Sequence, residues 1–248
     1  MTLVPRYGIE DDWFDESLPV QVSNVSQVAG YLGVTLPLNN AALLHFSGGF
    51  KGSQVSCKMA TFPNTGKTAL LFETSHPAWL LPRFKNQVWL LKVNNQFELY
   101  IDFIAFARAT PPGLSTLMVW RMVRICAEWG IRRISLWAAG GRDRDLAGDK
   151  FPDGRRWGGY YFWPSIGFEG KLETTDLYFF GRNFRFPDGI DSATTVRTVF
   201  ELDNGKGSHF WRYNGNDVEK CEFLVDGGQM TRSMEILAAK VQNIIIGS

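Results

Sequence analysis

Thr110-Pro111-Pro112-Gly113-Leu114-Ser115 is the segment of this chain whose residue types and spacing could do chemistry. It ends an apolar run and precedes a helical pattern, so it sets a glycine at a helix start. Such a start presents backbone N–H groups that lack intrahelical acceptors, together with the positive end of the helix dipole. An anion such as a pyrophosphate is what that arrangement holds. Gly113 has no Cβ and lets a ligand approach the backbone, Pro111 and Pro112 pre-set the turn, and Ser115 adds a first-turn hydroxyl. The plainer reading is an ordinary helix start. In the apolar run itself Glu98 and Asp102 stand four residues apart, on one face of a strand, while Glu73 and His76 close an earlier run. Asp102 lies between Ile101 and Phe103, which would desolvate it and raise its pKa toward that of a base. A strand carboxylate is otherwise a surface residue.

The elements that must position these groups can be read from periodicity. The first twenty residues mix acidic and aromatic types with Pro5 and Pro19, as in an irregular arm over the surface. Helices are predicted from Asn24 to Leu32 and from an Asn39 cap through Phe46. Strands are predicted over 55–62, 69–74 and 88–93, then a tight turn at Asn94-Asn95 and a fourth strand from Phe97 to Ala107. A helix with Leu114, Leu117, Met118, Met122, Ile125 and Cys126 on its apolar positions runs to Gly130, and 132–138 alternates as a strand parallel to the one before the helix. Residues 140–156 read as a long exposed loop, with a short helix or turn near 158–165, a strand near Lys171 and a last helix over 231–246.

Composition bounds the class. The chain has 248 residues, 45% hydrophobic and 14% aromatic, which suits a globular domain with an elaborated terminus. Its net charge of +1 gives no general pull toward nucleic acid or anionic lipid. Cys57, Cys126 and Cys221 are odd in number and lack metal-ligand spacing, so neither a disulfide framework nor a metal site is expected. Acidic residues crowd the first thirty positions and no run approaches the roughly 18 apolar residues of a membrane span, so a soluble, cytoplasmic protein is expected.

With these residues in place, positions 50 to 172 resemble the GNAT superfamily of acyl-CoA-dependent N-acyltransferases. Thr110–Ser115 is similar to the family's acyl-CoA loop, Q/R-x-x-G-x-G/A, and Gly159-Tyr160-Tyr161-Phe162-Trp163-Pro164-Ser165-Ile166-Gly167-Phe168 is similar to its fourth-helix signature. Thr110 and Ser115 depart from the loop consensus, and Trp163 stands at the family's usual tyrosine. The resemblance implies a mixed, mostly antiparallel sheet of α/β (α+β) class, with a central parallel strand-helix-strand unit flanked by helices. Residues 1–50 would add an arm and helices, 51–172 the cofactor-binding core, and 173–248 an extension over it.

The resemblance also implies roles. Acetyl-CoA, or another acyl-CoA, would be the donor and an amine the acceptor, attacked directly in a ternary complex. Backbone groups near Ile104, Ala105 and Phe106 would hold the acyl carbonyl and pantetheine, and Thr110, Gly113, Leu114 and Ser115 the pyrophosphate. Asp102, then Glu98, would be the base; Tyr160 or Tyr161 would replace the missing phenol and protonate the thiolate, unless both are packing aromatics. The basic residues of Arg142-Asp143-Arg144-Asp145 and Arg155-Arg156 would meet solvent, the adenosine 3′-phosphate or an acidic acceptor. Two alternatives stay open. One is a phage-type enzyme acting on a nucleobase or other macromolecule, which the net charge does not indicate and for which His209-Phe210-Trp211-Arg212-Tyr213 offers rings that core packing explains as well. The other is a non-catalytic binding protein of the same fold.

Overall fold

A computed structural model describes residues 3 to 247. In chain order the elements are α1 (Glu10–Trp13), β1 (Val20–Val22), α2 (Val25–Leu32), α3 (Asn40–Ser47), β2 (Gln54–Thr61), β3 (Thr68–Ser75), β4 (Asn86–Val93), β5 (Gln96–Phe103) and α4 (Leu114–Glu128). There follow β6 (Arg133–Ala138), α5 (Arg142–Leu146), α6 (Gly159–Ser165), β7 (Glu169–Gly170), α7 (Thr174–Asn183), α8 (Val196–Glu201), α9 (Lys206–Asn214), β8 (Val218–Leu224) and α10 (Arg232–Gly247). The chain is of mixed α and β class. It divides into two units, one reaching to Ile134 and resuming at Val225, the other spanning Ser135–Leu224.

In the first unit the strands lie in the order β1-β2-β3-β4-β5. β1 runs parallel to β2, and β2 to β5 form an antiparallel meander. Leu70, Phe72, Val88, Leu90 and Leu99 are fully buried on one face, while Phe62, Leu71 and Trp89 form a smaller cluster on the other. That two-sided burial explains why β3 and β4 read as continuous apolar runs rather than alternating ones. Asn94 and Asn95 close the β4–β5 hairpin with φ of 50° and 62°, the left-handed pair a two-residue turn requires. The Asn24 and Asn39 side chains cap α2 and α3 by accepting from Gln27 N and Ala42 N.

Two sequence expectations change here. Val20–Val22, placed within or beside an irregular arm, is an edge strand too short to show periodicity. The fourth strand ends at Phe103 rather than Ala107. An extra residue at Asp102 breaks its register, since Gln87 faces Phe103 but Val88 faces Ile101, and beyond this bulge the ladder against β4 ends with that Gln87–Phe103 pair.

The arm is fixed by α4, which is buried on nearly every side and carries two buried arginines. Arg124 donates to the carbonyls of Val4 and Pro5 and forks onto the Glu10 carboxylate, with Nη1 at 3.0 Å from Oε2. Arg121 donates to Gly49 O and to Glu16 Oε1 at 2.8 Å, and lies over the Phe14 ring. Burial alone would raise the Glu16 pKa, but its hydrogen bond with His45 at 2.8 Å and the Arg121 charge prevail and bring it to about 2. A carboxylate with a depressed folded pKa stabilises the fold above its unfolded value, and that contribution is lost as pH falls toward the folded value. The urea midpoint of the protein is therefore expected to drop between pH 4.5 and 2, and Glu16→Gln to flatten that part of the profile while lowering the midpoint at pH 7.

The second unit has strand order β6-β8-β7, with β7 antiparallel to β8. Its core is aromatic: Phe168 packs on Trp163 and Phe223, and Phe180 on Phe210 and Trp211. The tail thus contains α7, α8, α9 and β8, which the sequence pattern did not resolve. The 140–156 segment also differs from an open loop. Arg142 reaches the buried Asp176 at 3.1 Å and covers the Phe179 ring, Arg144 forks onto Asp217 and pairs with Asp149, Arg155 pairs with Asp153, and Arg156 with Asp145. These four arginines are neutralised by the chain's own carboxylates. Among the described residues no helix is long and apolar enough to cross a membrane.

Candidate functional site

The first unit brings the end of β5, the 104–113 segment and the start of α4 into one continuous stretch. After the bulge the chain pairs on one side with residues 79–81. Leu81 N donates to Ala105 O at 3.1 Å, Ala107 N to Trp79 O at 2.9 Å, and Phe106 forms a bridge with Leu80. In that pattern Phe106 turns its own N–H and C=O away from the 79–81 segment. Ala105 N donates to Asn86 Oδ1 at 3.0 Å, so both backbone groups of Ala105 are committed. Of the three residues expected to meet an acyl carbonyl, Ile104 is the one this pairing leaves out.

Thr110 is likewise committed. Its hydroxyl lies 2.7 Å from Trp79 O and 2.8 Å from Ala107 O, which makes it a pin of the loop rather than a phosphate ligand in this conformation. Gly113 N-caps α4 with φ of 89°, and no side chain caps the helix. Leu117 N reaches back to Gly113 O at 3.0 Å, whereas the amides of Ser115 and Thr116 have no acceptor among the described residues. The first turn also carries no acidic residue. A 15-residue helix thus ends in uncompensated donors. Leu114 is buried and Ser115 half-buried.

α10 lies against this start. A Cβ on Gly113 would stand 3.1 Å from the Ile244 side chain, and one on Gly227 would stand 3.0 Å from Ala127 O, so α10 runs antiparallel to α4. The glycine at 113 therefore serves the packing of α10 as well as the left-handed cap. Sequence spacing held no signal for Ile244, more than a hundred residues away.

The carboxylates sit differently from expectation. Asp102 is exposed and accepts from the Trp89 indole N–H at 3.2 Å. The bulge leaves it in solvent, so Ile101 and Phe103 do not desolvate it. Glu98 is half-buried and lies 3.7 Å from Arg133. His76 is structural: its Nδ1 accepts from the amides of Ala78 and Trp79 at 3.1 and 2.8 Å, and its ring stacks on Trp79. Burial lowers its pKa, and a proton on Nδ1 would displace both amides. Glu73 pairs with Lys58 at 2.8 Å.

Tyr160 and Tyr161 belong to the second unit, on α6. The Tyr160 hydroxyl donates to Arg212 O, and its backbone carbonyl accepts from Trp211 Nε1 at 2.9 Å. Burial, then Asp145, raises its pKa. Tyr161 packs on Phe200 with the Arg212 guanidinium over its ring. Trp163 is a core residue against Phe168, which accounts for tryptophan there. No family model, curated protein or solved structure matches this chain.

Proposed function

We propose that the chain binds acyl-CoA at the start of α4 and transfers the acyl group to an amine. The observation that carries this reading is the uncapped, acid-free start of α4, which follows directly on a bulged strand end. The donor set fits a pyrophosphate: the amides of Ser115 and Thr116, the Ser115 hydroxyl and the dipole of a long helix all belong to that start. Acyl-CoA supplies the activated thioester. The residues around it have separate tasks. Ile104 offers backbone groups to the acyl carbonyl and the pantetheine arm, while Asn86 and Trp79 hold that segment in place through Ala105 and Ala107.

In the transfer the amine nitrogen bonds to the carbonyl carbon, the carbon–sulfur bond breaks, the amine gives up a proton and the thiolate gains one. Asp102, the carboxylate at the strand end, takes the first proton in this reading, and solvent water supplies the second. The test is release of free thiol from acetyl-CoA in the presence of primary amines. Asp102→Asn is expected to slow release by about 100-fold, the lower end for general base catalysis, with acetyl-CoA affinity unchanged. A non-catalytic acyl-CoA-binding protein is the second reading, favoured by the Tyr160 hydroxyl already being spent on Arg212. Acetyl-CoA binding with no amine-dependent thiol release would select it.

A further inference from the structure

We propose that His76 is a pH-sensitive latch on the segment that leads into α4: its neutral ring holds the chain at 78–79, which anchors residues 107–110, and its protonated ring releases them. The latch begins at one nitrogen. His76 Nδ1 faces the backbone N–H groups of Ala78 and Trp79 at 3.1 and 2.8 Å. A backbone amide only donates, so this nitrogen carries a lone pair and the ring proton sits on Nε2. Trp79 passes the constraint on. Its carbonyl accepts from Ala107 N at 2.9 Å and lies 2.7 Å from the Thr110 hydroxyl, which also reaches Ala107 O at 2.8 Å. The His76 ring stacks on the Trp79 indole with centroids 4.8 Å apart and meets the Phe50 ring at 5.3 Å. The next residues are held by other means. Leu80 and Leu81 are buried, and Leu81 N donates to the carbonyl of Ala105, a residue that Asn86 also holds.

Protonation acts on this arrangement directly. A proton on Nδ1 points at both N–H groups, so the two hydrogen bonds are lost and donors are left facing donors. Nothing around the ring favours the imidazolium. Phe50 and Trp79 face it with their rings, Gly52 stands so close that a Cβ on it would lie 3.0 Å from Nε2, and Lys51 meets it through a backbone hydrogen bond. The charged side chains on the elements packed around it are Lys51 and Arg108, both exposed, and Glu73 of β3, which is paired with Lys58 and Lys85. None of them shifts the ring through its charge. Burial holds the His76 pKa below the ordinary 6.5, opposed only by the Lys51 hydrogen bond. The folded protein therefore binds fewer protons at this site than the unfolded chain. The latch is at full strength above pH 6.5 and is lost as pH falls through the lowered folded value.

The latch does not depend on acyl transfer, so its test contains no CoA. The isotope-labelled full-length chain is titrated by NMR from about pH 7.5 to about pH 4.5, a range that brackets histidine protonation. Imidazole nitrogen shifts read which ring nitrogen carries the proton, and amide exchange, corrected for the intrinsic rate at each pH, reads the hydrogen bonds. At the start of the titration the proton is expected on Nε2. On acidification the Trp79 and Ala107 amides are expected to lose protection together by about 10-fold or more, with a midpoint below 6.5, while the Leu81 amide keeps its protection. His76→Asn offers the same amides a side-chain oxygen that does not titrate, so both amides are expected to stay protected throughout. His76→Leu is expected to leave both in fast exchange at every pH. A proton on Nδ1 at neutral pH would overturn the proposal. So would unchanged protection across the titration in the wild type, a loss at Trp79 that Ala107 does not share, or a loss that Leu81 does share. The same transition in His76→Asn would overturn it too, by assigning the effect to another group.

Discussion

Replacing Arg124 with methionine is expected to destabilise the protein by about 3–5 kcal/mol, the cost of breaking a buried pair by removing one partner. Glu10 is 1% exposed, and the Arg124 fork is its principal neutraliser, since the Arg121 Nε lies 3.8 Å away. The Val4 and Pro5 carbonyls lose a donor in the same step. Urea unfolding followed by tryptophan fluorescence measures the loss. Glu10→Gln in the same chain should recover part of it, because the charge left uncompensated is then gone; that non-additivity is the signature of a coupled pair. A loss below about 1 kcal/mol, the range of an exposed pair, would mean that the arm does not seal Glu10 from water.

The network also shows what could be read in the sequence and what could not. The meander, the Asn94-Asn95 turn and the caps at Asn24 and Asn39 depend on neighbours a few residues apart, and each was legible. So was the helix starting beside Gly113. The arginines of α4 were different, since an arginine in an apolar helix looks like a residue on its solvent face. Its burial follows from Glu10 and Glu16, more than a hundred positions earlier, which read as surface charges of an irregular arm. A similar separation hid Ile244 from Gly113, and a shorter one of 34 residues hid Asp176 from any role with Arg142.

The surroundings of the proposed site residues were legible to a similar depth. Sequence alternation placed Glu98 and Asp102 on one face correctly, but the step from flanking Ile101 and Phe103 to a desolvated Asp102 failed, because Asp102 is the extra residue of a bulge and stands in solvent. The strand was carried to Ala107 because apolar character continues through Ile104, Ala105 and Phe106. The bulge at Asp102 has no composition signal, and Asn86, whose side chain takes the Ala105 amide, is recognisable only once β4 and β5 are paired. The tyrosines of α6 were found by type, while their commitments to Arg212 and Phe200 come from a tail whose helices are short and interrupted by glycines.

A carboxylate at position 115 separates the ligand-binding role of the α4 start from its role in folding. Asp in the first turn satisfies orphan amides and complements the helix dipole, so Ser115→Asp is expected to stabilise the protein by about 0.3–1 kcal/mol. The same carboxylate would occupy the anion position and repel a pyrophosphate. At an effective dielectric near 20, that repulsion at about 5 Å is worth roughly 3 kcal/mol, so affinity for acetyl-CoA should fall by about 100-fold. An ordinary packing mutation would move stability and binding together. This one is expected to move them in opposite directions.

The most direct measurement is isothermal titration of acetyl-CoA into the wild type and into Ser115→Asp, with thermal melts of both. Saturable binding by the wild type, lost or weakened by about 100-fold in a variant that melts no lower, is the predicted result. No binding by the wild type at millimolar acetyl-CoA, or equal binding by both proteins, would contradict an acyl-CoA site at the start of α4.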